Sequence, residues 1–400
     1  MPQGEVYKLK LENIAPGGDA LGRIEGKPVF VQGGAPLESI LCRITEDRET
    51  WARAQILEII EASPVRVKEA CAFYGKCGGC NLMHIDYNAQ LEAKSSILKD
   101  LFERISGFTP PEIQVIPSVQ FEYRNRTQFH CLRQKAKGNN YGFGFKGRSS
   151  DEIIEITDCP VAVPMIREII KNSSRKDVKD TDKNSGIVLP VEKDRFTVFA
   201  KDDVLINEGG QKRGKINLLN KEITVDAGVF FQSNCFMLEK LILGLQDAAK
   251  NANHSLAMAD LYSGVGTFAL FLGSEFSKVI LAEENKSAVS LARENLKGVN
   301  GEYYALRDSE WQRVFESPSG KKQSFGFIVA DPPRTGLNSK LAGILAKDGP
   351  PIFAYVSCDA ASLSRDSKIL VKGGYTLKEL KLYDFYPQTA HIESLAVFER

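Results

Sequence analysis

From about Val6 to Ile60 the apolar positions come in short runs rich in β-branched and aromatic side chains, broken by Pro16-Gly17-Gly18, Glu25-Gly26-Lys27 and Gln32-Gly33-Gly34. Closely spaced strands with glycine turns predict a small OB-like β-barrel over residues 1–63, closed by the break at Ser63-Pro64. Such barrels hold single-stranded nucleic acid or act as structural caps, and this one carries more acidic than basic residues. The period then changes. Between Asp86 and Ile105 the residues Leu91, Ile97, Leu98, Leu101, Phe102 and Ile105 recur at helical spacing and predict a helix. Lys171 to Gly186 is polar and of mixed charge, and reads as a loop. From Gly228 onward apolar runs alternate with amphipathic stretches, the pattern of a doubly wound parallel sheet. The patterning therefore predicts a multidomain α/β chain in three parts: a barrel over 1–63, a central α+β part over 64–219 and a Rossmann-like part over 220–400.

The Rossmann-like part carries the candidate chemistry. Its first strand, Leu256-Ala257-Met258-Ala259, leads into Asp260-Leu261-Tyr262-Ser263-Gly264-Val265-Gly266-Thr267, and Glu283 ends the next strand at the spacing that serves ribose hydroxyls. The third glycine of a dinucleotide fingerprint is absent, and an acid opens the loop. That acid repels a pyrophosphate but suits the amino group of methionine, which favours S-adenosylmethionine. Asp308, after Glu302-Tyr303-Tyr304-Ala305-Leu306, is placed for an adenine amine. The strand Phe325–Ala330 ends in Asp331-Pro332-Pro333-Arg334, similar to the loop of nucleic-acid amino-methyltransferases, but with Arg334 where those place a stacking aromatic. The next strand, Tyr355-Val356-Ser357, ends on Cys358, on the sheet edge where open α/β folds bind ligands. A lone strand-end cysteine is often only a small buried hydrophobe. Here a thiol in place of the aromatic points to carbon methylation of a pyrimidine, in which a nucleophile first adds to the ring. Near the carboxyl end, His391-Ile392-Glu393 offers an acid–base pair, unless Glu393 is a solvated strand end.

Composition narrows the setting. The 400 residues are 43% hydrophobic and 26% charged with a net charge of +1, so a polyanionic partner has to be met by a local patch. No apolar run is long enough to span a bilayer, and the expected location is the cytoplasm, where eight cysteines read as ligands, catalysts or core residues. Cys71, Cys77 and Cys80, with glycines at 78 and 79, and the distant Cys159-Pro160 form a metal-binding constellation. A structural zinc fits the count, while the glycine-flexed spacing and the proline after the last cysteine lean toward an iron–sulfur cluster. From Phe121 to Ser150, Arg124, Arg126, Arg133, Lys135, Lys137, Lys146 and Arg148 stand against one acid, Glu122, interleaved with Phe121, Tyr123, Phe129, Tyr141, Phe143 and Phe145. This is either an RNA-binding surface or a sheet with a charged face and an aromatic core.

Together these residues resemble a known family, the S-adenosylmethionine-dependent RNA 5-methyluridine methyltransferases, in their iron–sulfur members with an amino-terminal TRAM barrel. The resemblance runs over essentially the whole chain: the barrel, the four cysteines, Phe230-Phe231-Gln232-Ser233-Asn234, the Gly264 loop, Asp331-Pro332-Pro333-Arg334, Ser357-Cys358 and His391-Ile392-Glu393. It implies a class I methyltransferase domain and a 4Fe-4S cluster held by Cys71, Cys77, Cys80 and Cys159. It further implies cofactor contacts from Gln232, Tyr262, Thr267, Glu283, Asp308 and Asp331, Cys358 as nucleophile and Glu393 as the proton-abstracting base. Gln232 and Asp331 also suit the edge of the flipped uracil. Met83 stands where many members carry glutamine. Within the family the helix over 86–106 often packs with the catalytic domain. The expected partner is RNA, 23S rRNA ahead of tRNA, with no membrane, and the chain is expected to act as a monomer. The rival readings are a cytosine-5 methyltransferase, which usually sets its nucleophile after proline, and a non-catalytic RNA-binding or ribosome-assembly factor on the same fold.

Overall fold

The computed structural model describes residues 1–134, 140–173, 181–182, 187–188, 194–315 and 323–400. Strands β1 (Val6–Ile14), β2 (Ala20–Ile24), β3 (Lys27–Val31), β4 (Ser39–Asp47) and β5 (Ala52–Glu61) close into a barrel in the order β1-β2-β3-β5-β4. Alternating positions send Leu9, Leu11, Val29, Val31, Ile40, Cys42 and Ile44 inward. The chain leaves the barrel at a buried ion pair between Glu38 and Arg66, which also donates to Gly33 O.

Helix α1 (Tyr87–Leu101) is capped by Asp86, whose carboxylate accepts the Asn88 N–H at 3.0 Å. The helical reading extended to Ile105, but the last turn, Phe102–Ser106, is π-helical and stops at Gly107 with φ of 82°. The buried stripe also differs from the apolar one. It contains Gln90 and Lys94 beside Ile97 and Leu98. β6 (Ile113–Ile116) follows.

Strands β7 (Arg126–Gln134), β8 (Asn140–Lys146) and β9 (Ile153–Glu155), helix α2 (Pro164–Ser173), the short pair β10 (Thr181–Asp182) and β11 (Ile187–Val188), and strands β12 (Arg195–Lys201) and β13 (Val204–Asn207) make up the centre of the chain. The sheet order is β13-β12-β7-β8-β9, and its core joins Phe129, Phe143, Phe196 and Val198 to Ile166 and Ile170 of α2. The expected loop from Lys171 to Gly186 is overtaken in part, since α2 reaches Ser173 and β10 pairs with β11. The rest of that stretch lies outside the described residues. β14 (Arg213–Leu218) and β15 (Lys221–Asp226) form a hairpin whose turn residues, Leu219 and Asn220, both have positive φ, the geometry that suits strand twist. The expected boundary at 219/220 falls within this turn, and Ile216, Ile223 and Val225 pack on the large sheet that follows.

That sheet is built from β16 (Ala257–Leu261), β17 (Lys278–Glu283), β18 (Gly301–Ala305), β19 (Phe325–Ala330), β20 (Ile352–Ser357), β21 (Thr376–Tyr383) and β22 (Glu393–Glu399), with β6 at its far edge. Helices α3 (Cys235–Ala249), α4 (Thr267–Leu272), α5 (Lys286–Asn295), α6 (Ser339–Asp348) and α7 (Ala360–Lys372) cover its faces. The order is β18-β17-β16-β19-β20-β22-β21-β6, parallel except for β22, which runs antiparallel to β20 and β21. Successive side chains point to opposite faces: Met258, Phe327 and Val356 meet α3 and α4, while Ala259, Ile328 and Tyr355 join the other cluster. The second cluster continues through Phe102, Leu98, Ile97, Ile85 and Leu82 into the barrel, so α1 is sandwiched between barrel and sheet. No helix among the described residues is long and apolar enough to cross a membrane.

Candidate active site

The chain runs outward from β16 to β17 and β18, then returns to place β19 on the other side of β16. The crevice at the carboxyl ends of β16 and β19 is therefore the topological switch point, where open α/β sheets bind ligands. A cavity of about 920 Å³ opens there and is lined by Gln232, Tyr262, Thr267, Glu283, Asp308, Asp331, Cys358 and Glu393, so the fold brings together the six cofactor-contact candidates and the two catalytic candidates. Tyr262 follows β16 in the left-handed region, with φ of 59°, and lays its ring against Trp311 at 4.2 Å between centroids. Thr267 opens α4 after Gly266, where φ is 79° and a Cβ would come within 2.5 Å of Leu296. Glu283 accepts the Gly264 N–H (3.0 Å) and the Asn285 N–H (2.7 Å), so it shapes the loop it faces. Gln232 donates to Asp331 at 3.3 Å, and Asp308 begins a 3-10 turn after β18.

Asp260, the acid that opens the loop, is fully buried at the end of β16. One carboxylate oxygen accepts the Ala269 N–H at 3.0 Å, tying down α4, and the other has no partner in the protein. Burial, with Asp331 and Glu283 nearby, pushes its pKa up to about 8. An acid whose pKa is raised on folding stabilises fully below its unfolded value, about 4, and that stabilisation is lost as pH rises through the folded value. The protein should therefore melt several degrees higher near about pH 5.5 than near about pH 8.5, and Asp260→Asn should flatten the difference in a calorimetric pH series. An unchanged slope in the variant would assign the effect to other carboxyls.

Cys358 directly follows β20, ahead of α7, whose N-cap Asp359 accepts the Ser362 N–H at 2.7 Å. In the β20–β22 ladder Ser357 pairs with Ser394, so one step further Cys358 and Glu393 come abreast. Glu393 is not a solvated strand end. It is 3% exposed, and burial together with Asp331 holds its carboxyl well above the usual range, against Arg334. Burial, then Glu393 and Asp331, push the Cys358 thiol up to about 12, with Arg334 again opposing. Asp331 is itself raised to about 7 by burial. His391 is exposed and approaches Arg334 (Nδ1 to Nη2, 3.4 Å); packing around the ring and then the arginine press its pKa down, which favours the neutral imidazole.

The central sheet separates the rings of the basic segment from its cations. Tyr123, Phe129 and Phe143 are buried, Phe129 stacks on Phe143 and Phe145, and Phe196 meets Phe143 edge-on, so these rings are core and not a base-stacking surface. Lys146 and Arg148 pair with Asp151 and Asp19. Arg124 and Arg126 line the active-site cavity instead, with Arg126 over the ring of Phe230, which is 63% exposed. Lys135 and Lys137 lie outside the described residues. Replacing Arg124 or Arg126 by alanine should weaken RNA binding and lower the salt slope of log K by about one for each phosphate no longer neutralised. Unchanged slopes in a salt titration would leave both as structural cations.

A second cavity, of about 610 Å³, is lined by Cys71, Cys77, Cys80 and Cys159 together with Asp19 and Arg53 of the barrel, and it shares Gly78, Gly79, Arg124 and Gln128 with the first. Burial, then neighbouring thiols, raise Cys80 to about 12, while burial raises Cys159 to about 11. Among the described residues no group of three or more His, Cys, Asp or Glu side chains is gathered tightly enough to hold a metal ion. Met83 is buried beside Tyr123 and Val161, against this thiol cluster.

Several residues that build the site carry no motif. Lys94 and Asp384 form an ion pair at 2.5 Å with both side chains fully buried, and Tyr87 donates to the same carboxylate at 2.8 Å. Asn234 caps α3 through Met237 N–H (3.1 Å) and donates to Phe385 O (3.0 Å), anchoring the 230–234 segment to the turn after β21.

The fold is that of a class I methyltransferase with its cavity at the switch point of the sheet, and comparison with known proteins agrees on the class. Residues 214–400 match the family model described as tRNA (Uracil-5-)-methyltransferase, and residues 2–57 match the TRAM domain. An "Uncharacterized RNA methyltransferase" of Treponema denticola is 32% identical, covering 94% of this chain and 94% of its own. A 23S rRNA (uracil(1939)-C(5))-methyltransferase of Pseudomonas entomophila is 28% identical over 100% of this chain and 95% of its own. The crystal structure of Pyrococcus abyssi tRNA (uracil-54, C5)-methyltransferase in complex with S-adenosyl-L-homocysteine shares the fold, with a TM-score of 0.73 at 23% identity over 98% of this chain and 100% of that one. The chain belongs to the RNA (uracil-5-)-methyltransferase family.

Proposed function

We propose that this chain methylates carbon 5 of one uridine in 23S rRNA, using S-adenosylmethionine, through a covalent bond between Cys358 and carbon 6 of the uracil. The observation that carries the reading is the β20–β22 register, which brings Cys358 abreast of Glu393 on the wall of the cavity formed at the switch point. Carbon 5 of uracil is too weak a nucleophile to be methylated unaided; the Cys358 thiol, held protonated in the free site, gives its proton to solvent, and addition of the thiolate at carbon 6 makes carbon 5 enolate-like. Bound S-adenosylmethionine supplies the methyl group. Tyr262, Thr267, Glu283 and Asp308 hold it, while Gln232 and Asp331 serve both it and the edge of the base. Glu393 then takes the proton from carbon 5, and the electron pair left behind expels the Cys358 thiolate. A carboxyl raised by burial is, once ionised, a stronger base than an exposed one, which suits this step. Because carbon 6 is shielded in a stacked helix, the uridine has to be unpaired or flipped. Arg124 and Arg126, on the same cavity wall, meet its phosphates.

The four cysteines line one cavity, and the glycines at 78 and 79 with the proline after Cys159 favour a 4Fe-4S cluster there over a structural zinc. Such a cluster with four cysteine ligands would have no open iron and would serve as a structural or redox-sensing centre. The 23S target is favoured by the ribosomal relative, which spans this chain from end to end. Mass-spectrometric mapping of 5-methyluridine in rRNA and tRNA from cells with and without the gene tests it. Loss of one 23S rRNA uridine methylation is expected, and loss confined to tRNA would overturn the choice of target.

A further inference from the structure

The loop from β21 to β22 delivers His391 and Glu393 to the cavity, yet it is held from outside its own sheet. Gln388 is buried in the left-handed region with φ of 69°, a conformation that non-glycine residues keep only where their surroundings impose it. Its carbonyl accepts the N–H groups of Asn81 (3.0 Å) and Leu82 (2.9 Å). Its own N–H donates to Gln90 Oε1 at 2.9 Å, and Gln90 Nε2 donates back to its side-chain oxygen at 3.0 Å. Ala390 N–H donates to Asn81 Oδ1 at 2.8 Å, and Asn81 Nδ2 donates to Gly17 O in the β1–β2 turn at 2.7 Å. That turn fits closely: a Cβ on Gly18 would stand 2.6 Å from Asn81 Nδ2 and 3.0 Å from the Ala390 methyl. Asn81 immediately follows Cys80, so one side chain joins the barrel, the cysteine-lined centre and the catalytic loop.

We propose that Asn81 is a positioning residue for proton abstraction, setting through Ala390 and Gln388 where Glu393 stands relative to Cys358. The inference rests on Glu393 being the base. Asn81 touches neither the thiol nor the cofactor residues, which β19, β20 and the Gly264 loop hold independently. Its loss therefore spares attack and methyl transfer and slows only the late step. A misplacement of about 1 Å costs on the order of a hundredfold in rate.

The test compares Asn81→Ala, Asn81→Asp and Glu393→Gln in the full-length protein, with 23S rRNA fragments and methyl-labelled S-adenosylmethionine. In Asn81→Ala, kcat should fall on the order of tenfold to a hundredfold with KM for RNA little changed. A denaturant-stable, methyl-labelled protein–RNA complex should build up, and S-adenosylmethionine affinity should hold. Asn81→Asp keeps the acceptor for Ala390 N–H and should recover most of the turnover. If Asn81→Ala fails to bind S-adenosylmethionine, Asn81→Ser, too short to reach Ala390, carries the same readout. Loss of turnover with no trapped complex, while Glu393→Gln traps it, overturns the role of Asn81 and leaves the base assignment standing. No complex in Glu393→Gln either overturns the base assignment and this inference with it.

Discussion

Glu393→Gln should leave the enzyme covalently joined to its RNA, with the uracil already methylated and the complex stable to denaturant. The expectation follows from order: the base acts after methyl transfer, so its loss stalls a late intermediate, with turnover falling on the order of 10²- to 10⁴-fold. The electrostatics of the site sharpen it. An ionised Glu393 opposes the Cys358 thiolate, so its neutral replacement does not hinder attack while it removes the acceptor for the carbon 5 proton. Cys358→Ala should form no complex and lose activity by on the order of 10⁴-fold or more, and adding it to Glu393→Gln should abolish the trapped species. The readout is a denaturing gel of labelled RNA with mass spectrometry of the attached nucleotide. Normal turnover by Glu393→Gln would move the base to another residue, with neutral His391 the first candidate. Methylation by Cys358→Ala would remove the covalent mechanism altogether.

The parts of the site legible in the amino-acid order are those that local chain geometry dictates. A strand that ends on a thiol, a glycine turn after an apolar run and an acid at the end of the next strand each declare themselves within a few residues, and the sheet edge then gathers them. What pairing across the chain decides was not legible. Glu393 reads equally well as a solvated end until β22 inserts between β20 and β21 and buries it. Gln90 and Lys94 look like the polar face of a helix, because the partners that turn them inward, Gln388 and Asp384, lie 298 and 290 residues away. The same limit explains the basic segment. Rings and cations alternate in sequence, and only the strand pairing shows that the rings face α2 while Arg124 and Arg126 face the cavity. Asp260 shows both sides: its motif was plain, while the N–H it accepts from Ala269 is a contact that only the folded chain makes.

Cys159→Ser tests the cysteine-lined centre at the ligand that sequence separates from the other three. Cys159 sits in a turn fixed by Asp158, which accepts the Cys159 N–H at 2.8 Å and pairs with Arg167 through both oxygens. Pro160 and Val161 in the same turn accept the N–H groups of Glu122 (3.0 Å) and Arg124 (2.8 Å). The proposed cluster, bound by all four thiols, would tie this turn, and with it the backbone of Arg124, to the segment from Cys71 to Cys80. Without the fourth thiolate the iron should be lost and proteolysis between residues 71 and 81 should accelerate. RNA affinity should fall as Arg124 loses its fixed position. S-adenosylmethionine affinity should change by less than about twofold, since the proposed contacts Tyr262, Thr267, Glu283 and Asp331 hang on β16, β17 and β19 and are not among the residues the two cavities share. Metal analysis of anaerobically purified protein, limited proteolysis and calorimetric titration with cofactor separate these effects. Zinc without iron in the unaltered protein would overturn the cluster, and an equal loss of cofactor affinity in Cys159→Ser would show that the centre supports the whole chain and not the RNA-facing part alone.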